Sequence, residues 1–208
     1  MRRTISFGRL PLLLLLLLVG AAGLWQLGDG LKIKAKAALA QILLESAWAD
    51  TLTEGGPQKP WPWADTWPVA KLIAPAQGEE LIVLNGVSGE AMAFGPGLHP
   101  DFAAPGHPGT TLIAAHRDTH FRFLEDLAPG DELVLETADG RDHRYAVAAL
   151  QVLSTPEATL PAGDGGARLV LVTCYPFDAM IAGGPLRYLV FAEKRADPTR
   201  LALAHQVE

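Results

Sequence analysis

From residue 68 onward the sequence breaks into short apolar runs divided by Gly and Pro, and this rhythm constrains the fold more than any other feature of the chain. Runs this short, bounded by turn residues, read as β-strands, and several in succession build a sandwich or a barrel. The pattern predicts strands near residues 69–74, 80–84, 110–115, 131–137, 143–154, 168–173 and 187–193. Asp139-Gly140 follows the fourth of these and is a hairpin signal, so antiparallel pairing is expected there. Ser88 is placed to cap a short helix over 88–94, and residues 123–127 read as a helical turn. With 208 residues the chain holds one domain and a tether, but no second enzymatic domain.

The tether comes first. Residues 10–27 carry no charge and follow Arg2, Arg3 and Arg9. A helix of that length spans about 27 Å, close to a hydrocarbon core about 30 Å thick, whereas a cleaved signal needs only about 7 to 15 apolar residues. An uncleaved transmembrane anchor is the favoured reading, with Gly20-Ala21-Ala22-Gly23 offering a peptidase the alternative. The arginines predict that residues 1–9 stay in the cytoplasm and the body lies across the membrane.

Residues 31–49 place Leu31, Ala35, Ala38, Leu39, Ile42 and Leu43 at helical spacing, with Lys32, Lys34 and Lys36 near the start. This predicts a juxtamembrane helix, either a spacer packed on the folded domain or a segment lying on lipid, and the spacer is preferred. Trp61, Trp63 and Trp67 alternate with Pro60, Pro62 and Pro68, which excludes regular helix and central strand. An ordered strap that lays its rings on a domain edge is expected, with stacking on carbohydrate or peptide as the alternative. The organisation is therefore a basic N-terminus (1–9), an anchor (10–27), a juxtamembrane helix with a Trp/Pro-rich linker (28–67), a β-domain (68–195) and a polar tail (196–208). Residues 50–208 hold eleven Lys and Arg against twenty-one Asp and Glu, a net charge of −10 that argues against a nucleic-acid partner.

Chemistry concentrates at strand ends. Cys174, the one cysteine, closes an apolar run, so its thiol has no disulfide partner within the chain. His116 closes an earlier run and Arg187 opens the last. A thiol acyl-transfer enzyme needs a nucleophile, a proton donor for the leaving amine and a positive group for the developing oxyanion. Cys174, His116 and Arg187 are of those three types: imidazole titrates near working pH, and guanidinium stays charged. Asp118 is a candidate to orient His116, and Arg117 competes for the oxyanion role, although a structural or surface pairing suits it better. Gly183 and Gly184 lie between Cys174 and Arg187, where a loop could close on substrate. Ile181 and Leu186 could receive apolar substrate groups, with core packing the commoner use of each.

His116 and His120 share the offset of helical zinc ligands, with His99 and His107 upstream, but Arg117 stands where that motif needs Glu. No metal and no cofactor is required by this chemistry. His143 and His205 read as surface residues.

Chain order excludes papain-like enzymes, which place Cys before His, and caspases need a Gln-Ala-Cys signature that is absent around Cys174. The Ser-x-Gly-Cys type motif of L,D-transpeptidases is also absent. Three strings remain: Ala115-His116-Arg117-Asp118-Thr119-His120-Phe121, Leu171-Val172-Thr173-Cys174-Tyr175-Pro176-Phe177 and Gly183-Gly184-Pro185-Leu186-Arg187-Tyr188. Over about residues 68–195 they resemble the sortase family, and within it the Gram-negative class. In that family a Leu-x-Thr-Cys string carries the nucleophile, a histidine ends an earlier strand and an arginine begins the last.

The resemblance implies an eight-stranded closed β-barrel with short helices, anchored in the inner membrane and facing the periplasm. It implies a cysteine transpeptidase with Cys174, His116 and Arg187 as catalytic residues, acting on a protein partner that ends in a Leu-Pro-x-Thr-Gly-like sorting signal, with the amine acceptor left open. Two other readings stay open here: a thiol hydrolase that uses water, and a non-enzymatic membrane-tethered β-domain in which Cys174 is an incidental core thiol.

Overall fold

The structure, a computed structural model, describes residues 9–154, 166–179, 181 and 183–195. The chain divides into two compact units, Met1–Ile42 and Leu43–Glu208. One helix, α1 (Arg9–Glu54), runs through the boundary between them. In the first unit Leu12 to Val19, Leu24, Trp25 and Leu27 are all exposed, and the helix is long and apolar enough to cross a membrane. The helix runs unbroken through Gly28, Asp29 and Gly30. A glycine costs a helix about 1 kcal/mol and keeps its N–H, whereas proline removes the donor and clashes with the preceding turn.

In the second unit the last turns of α1 bury Leu44, Ala47, Trp48 and Thr51. Leu44 and Trp48, one helical turn apart, pack with Ile82, Leu84 and Phe94, and Trp48 Nε1 donates to Glu136 at 3.4 Å. The spacer reading therefore holds for these turns, but on a different face: Leu31, Leu39 and Ile42 are exposed. Trp61 sets its ring edge-on to Phe94 with centroids 5.1 Å apart, as expected of a strap, while Trp63 remains 82% exposed. The expected tail over 196–208, including His205, lies outside the described residues.

Eight strands follow: β1 (Pro68–Ala74), β2 (Glu79–Asn85), β3 (Gly97–Leu98), β4 (Gly109–Ala114), β5 (Glu132–Thr137), β6 (Asp142–Ser154), β7 (Ala167–Cys174) and β8 (Leu186–Lys194). They close a barrel in the order β1-β2-β3-β4-β7-β8-β6-β5. β1 shows the cause most plainly: buried and half-buried residues alternate along its length, the period of a pleated strand. The inward set includes Leu72, Val83, Ile113, Leu133, Leu135, Tyr145, Leu169, Leu171 and Val190, all but removed from solvent. Burying one such side chain contributes about 1.5–3 kcal/mol, which makes this interior the main support of the fold.

Seven strands match the expected runs to within a residue at each end; β3 was not expected. Two residues carry no periodicity, and a Cβ at Gly97 would collide with the Gly86 carbonyl oxygen, so only glycine permits this pairing. The short helix α2 (Gly89–Met92) is capped as expected, with Ser88 Oγ accepting from Ala91 N at 3.1 Å. The helical turn is a 3₁₀ segment, Arg122–Asp126.

Two pairings are parallel, β2 with β3 and β4 with β7; β8 runs antiparallel to β7 on its other side. This arrangement brings the C-terminal ends of β4 and β7 and the N-terminal end of β8 to one rim of the barrel.

Candidate active site

The three residues singled out at strand ends meet at that rim. Cys174 and Arg187 are direct cross-strand partners, the last pair of the β7–β8 ladder, and Tyr175 N extends the pairing by donating to Leu186 O at 3.1 Å. Directly opposed residues share a face, with Cβ atoms about 4.5–5.5 Å apart. On the other side of β7 the parallel register ends at Ala114↔Val172, and the Ala115 N–H still donates to Val172 O at 3.2 Å. Two residues further along each chain stand His116 and Cys174, on neighbours about 4.8 Å apart.

Period two assigns the face. Leu112, Val170, Val172, Leu189 and Phe191 form one cluster on the outside of the barrel, distinct from the interior cluster of Ile113, Leu169, Leu171 and Val190. Stepping by two from the outer cluster reaches His116 on β4's extension, Cys174 on β7 and Arg187 on β8. Sulfur, imidazole and guanidinium thus continue one outer face, with the thiol in the middle and half-buried.

Their surroundings differ. The His116 side chain is exposed and makes no hydrogen bond among the described residues. Asp118 is also exposed and does not bond to it. Arg187 Nη1 donates to Gly184 O at 2.8 Å and to Leu186 O at 2.9 Å, which leaves Nε and Nη2 without a partner among the described residues. Gly184, at φ 95°, adopts the left-handed backbone that turns its carbonyl to the arginine, and a side chain there would be strained.

Arg117 is neither a surface residue nor available for an oxyanion. Only 6% exposed, it turns inward, and Nη2 donates to Ala179 O at 2.8 Å and Ile181 O at 2.9 Å. Arg122 supports the same loop by donating from Nη1 to Phe177 O at 3.1 Å. Sequence reasoning missed Arg122 and also Thr173, whose Oγ1 donates to Ala115 O at 2.7 Å and so ties the residue before the thiol to the residue before the imidazole. A signal for Thr173 existed: it is a polar residue at an inward position of an apolar strand. Beyond Cys174, Tyr175, Phe177 and Tyr188 stack edge-on and face-on, with centroids 5.1 to 6.2 Å apart, and close the rim.

Core packing of Ile181 and Leu186 is overturned, since they are 82% and 36% exposed. Ile181 lies in the loop that follows the nucleophile, and Leu186 is the first residue of β8. His143 is half-buried rather than at the surface; its ring lies against Gly106, and burial pushes it below the ordinary histidine range. His116 to His120 is turn rather than helix, so no helical ligand pair forms. No group of three His, Cys, Asp or Glu among the described residues could hold a metal ion.

Burial also pushes His120 below the usual histidine value and the nearby His116 adds to this, while a hydrogen bond to the Ala93 backbone acts the other way. The folded state therefore disfavours a charge that the unfolded chain accepts. Above about pH 6.5 both states hold the ring neutral; as pH falls below it, the unfolded chain binds the proton first and stability is lost until the folded ring protonates too. Thermal unfolding followed between about pH 7 and pH 5 should show this loss, and His120→Gln should flatten it, leaving the part that His143 contributes. Identical pH slopes in parent and variant would remove His120 as the cause.

A thiol, an imidazole and a guanidinium on one rim of a closed β-barrel define a scaffold suited to thiol acyl transfer. The sortase domain family matches residues 72–195, and the chain belongs to that family, whose members are cysteine transpeptidases. It is 27% identical over 124 residues to sortase D of Bacillus subtilis (strain 168), a match that covers 59% of this chain and 62% of that protein. The barrel is similar to a sortase D5 transpeptidase of Clostridium perfringens, with a TM-score of 0.60 at 21% identity over 76% of this chain and 99% of that one. It is also similar to a lid mutant of sortase A from Corynebacterium diphtheriae, with a TM-score of 0.58 at 22% identity over 78% of this chain and 97% of that one. At such identities the structural likeness speaks for the fold.

Proposed function

We propose that this chain is a membrane-anchored sortase of the Gram-negative class that cuts a Leu-Pro-x-Thr-Gly-like sorting signal between Thr and Gly and passes the acyl group to an amine. The observation that carries the reading is the convergence of Cys174, His116 and Arg187 on one outer face at one rim. The Cys174 thiol gives its proton to His116 as the sulfur attacks the Thr carbonyl, forming the S–C bond, while Arg187 stabilises the oxyanion with the donors its loop contacts leave free. As the tetrahedral intermediate collapses, the C–N bond to Gly breaks and His116 gives its proton to the departing amine. The incoming amine then attacks the thioester, His116 takes the amine's proton and passes it to the Cys174 sulfur as the S–C bond breaks, which restores the thiol. Water is the slow competitor. Exposed Ile181 and Leu186, close in sequence to Arg187, suit the apolar Leu-Pro end of such a signal.

The membrane part of the proposal rests on α1. With the basic residues on its short side, the helix would hold the barrel on the periplasmic face of the inner membrane, beside a secreted or membrane protein bearing the signal.

Product analysis tests the reaction. The full chain in detergent, given a Leu-Pro-Glu-Thr-Gly peptide with and without triglycine, should release the Gly fragment in both cases and join the acyl part to triglycine when it is present. Free acid alone, in the presence of triglycine, would make the protein a thiol hydrolase instead.

A further inference from the structure

We infer that Arg117, seconded by Arg122, is a positioning residue that straps the loop following the nucleophile to the segment bearing the histidine; the inference rests on the transpeptidase reading above. Among the described residues His116 has no side-chain hydrogen bond of its own, and no carboxylate orients it. Its place must come from its backbone neighbours. On one side Ala115 O accepts from Thr173 Oγ1 at 2.7 Å, which fixes the histidine segment to β7 one residue before the thiol. On the other side Arg117 reaches across to Ala179 O and Ile181 O, in the loop that leads away from the thiol.

The turn between Arg117 and Arg122 is itself rigid: Phe121 is fully buried and its N–H donates to His116 O at 3.0 Å. From the far end of that turn Arg122 reaches Phe177 O at 3.1 Å, and its other terminal nitrogen pairs with Glu125 at 3.0 Å. Two guanidiniums from the histidine segment therefore hold three carbonyls of the cysteine's loop.

The burial of Arg117 shows that this strap is a costly arrangement. Taking a guanidinium out of water costs several kcal/mol unless partners replace the solvent. Here no carboxylate lies within ion-pair distance among the described residues, and Nη1 is buried without any hydrogen bond. The two carbonyls are the compensation, and what they achieve is a fixed separation between the two reacting segments. Arg117 does not touch the reacting atoms, because its charged end points into the loop.

Displacing a reacting group by about 1 Å can cost on the order of 100-fold in rate without weakening substrate binding. Arg117→Lys, which can reach at most one of the two carbonyls well, is therefore expected to lower kcat for thioester formation by roughly 10- to 100-fold at nearly unchanged KM. Arg122→Ala, which removes the bond to Phe177 together with the exposed ion pair to Glu125, should lower kcat several-fold. Rates are measured on the full chain in detergent with the Leu-Pro-Glu-Thr-Gly peptide and are divided by the amount of folded protein, read from the amplitude of its cooperative thermal unfolding, so that unfolded protein is not counted. A parental kcat per folded chain in Arg117→Lys, or a loss confined to KM, overturns the strap. If Arg117→Lys does not accumulate as folded protein, Arg122→Ala decides: a parental kcat overturns the inference and a reduced kcat at unchanged KM supports it. A parent chain that never forms a thioester sinks the transpeptidase reading itself, which keeps the two failures apart.

Discussion

Cys174→Ala is expected to abolish the thioester and every product that depends on it, the largest effect of any substitution in this chain. The parent chain incubated with the sorting-signal peptide and no acceptor should gain the mass of the acyl fragment on Cys174; the alanine variant should gain nothing. No second thiol exists to take over, because Cys174 is the one cysteine. The fold should survive, since a half-buried strand-end thiol contributes little packing. His116→Ala gives the companion result: the thiol remains but the departing amine loses its proton donor, a contribution of typically 10²–10⁴-fold. Intact-mass measurement on parent and both variants is sufficient. An adduct that persists in Cys174→Ala would place the nucleophile elsewhere and end the mechanism.

The second large effect is expected at Arg187. Removing one donor to a developing oxyanion costs on the order of 2.7–4 kcal/mol, or about 10²–10³ in kcat, and Arg187→Ala should fall in that range. Two of its bonds go to Gly184 O and Leu186 O, so the arginine is held by its own loop before substrate arrives. Such preorganisation is what makes a cation effective in a transition state. Arg187→Lys should recover only part of the rate, because one ammonium cannot both hold the loop carbonyls and present a planar pair of donors. Steady-state kinetics with KM resolved from kcat test this. If Arg187→Ala raises KM alone, the residue binds substrate and does not stabilise the oxyanion.

Much of the barrel was readable because each strand carries its own signal. β1 alternates residue by residue, β5 runs into the Asp139-Gly140 turn, and Ser88 caps α2 through a bond that its residue type anticipates. β3 escaped because a two-residue strand has no period, and its presence depends on how closely Gly97 approaches Gly86. The buried face of α1 escaped as well. Leu44 and Trp48 face inward because β2 and Phe94 are there to receive them, while Leu39 and Ile42, equally apolar but on another face of the helix, remain exposed.

The candidate site divides along the same line. Residue types and their places at strand ends singled out Cys174, His116 and Arg187, since those properties are written locally in the chain. Whether they would meet depended on strand order: β4 and β7 are separated in sequence by two other strands, yet lie side by side and parallel. Arg117 makes the same point in the opposite direction, a charged residue in a polar turn that the fold takes inside.

Local pattern by itself determined the strands, the apolar helix and the chemical types available, because periodicity, turn residues and side-chain chemistry act over a few positions. Only the tertiary structure decided which strand ends became neighbours, which face they share and which guanidinium supports the loop instead of facing the reaction. Those outcomes depend on barrel closure and on long-range hydrogen bonds such as Thr173 to Ala115 and Arg117 to Ala179, which join segments far apart in sequence.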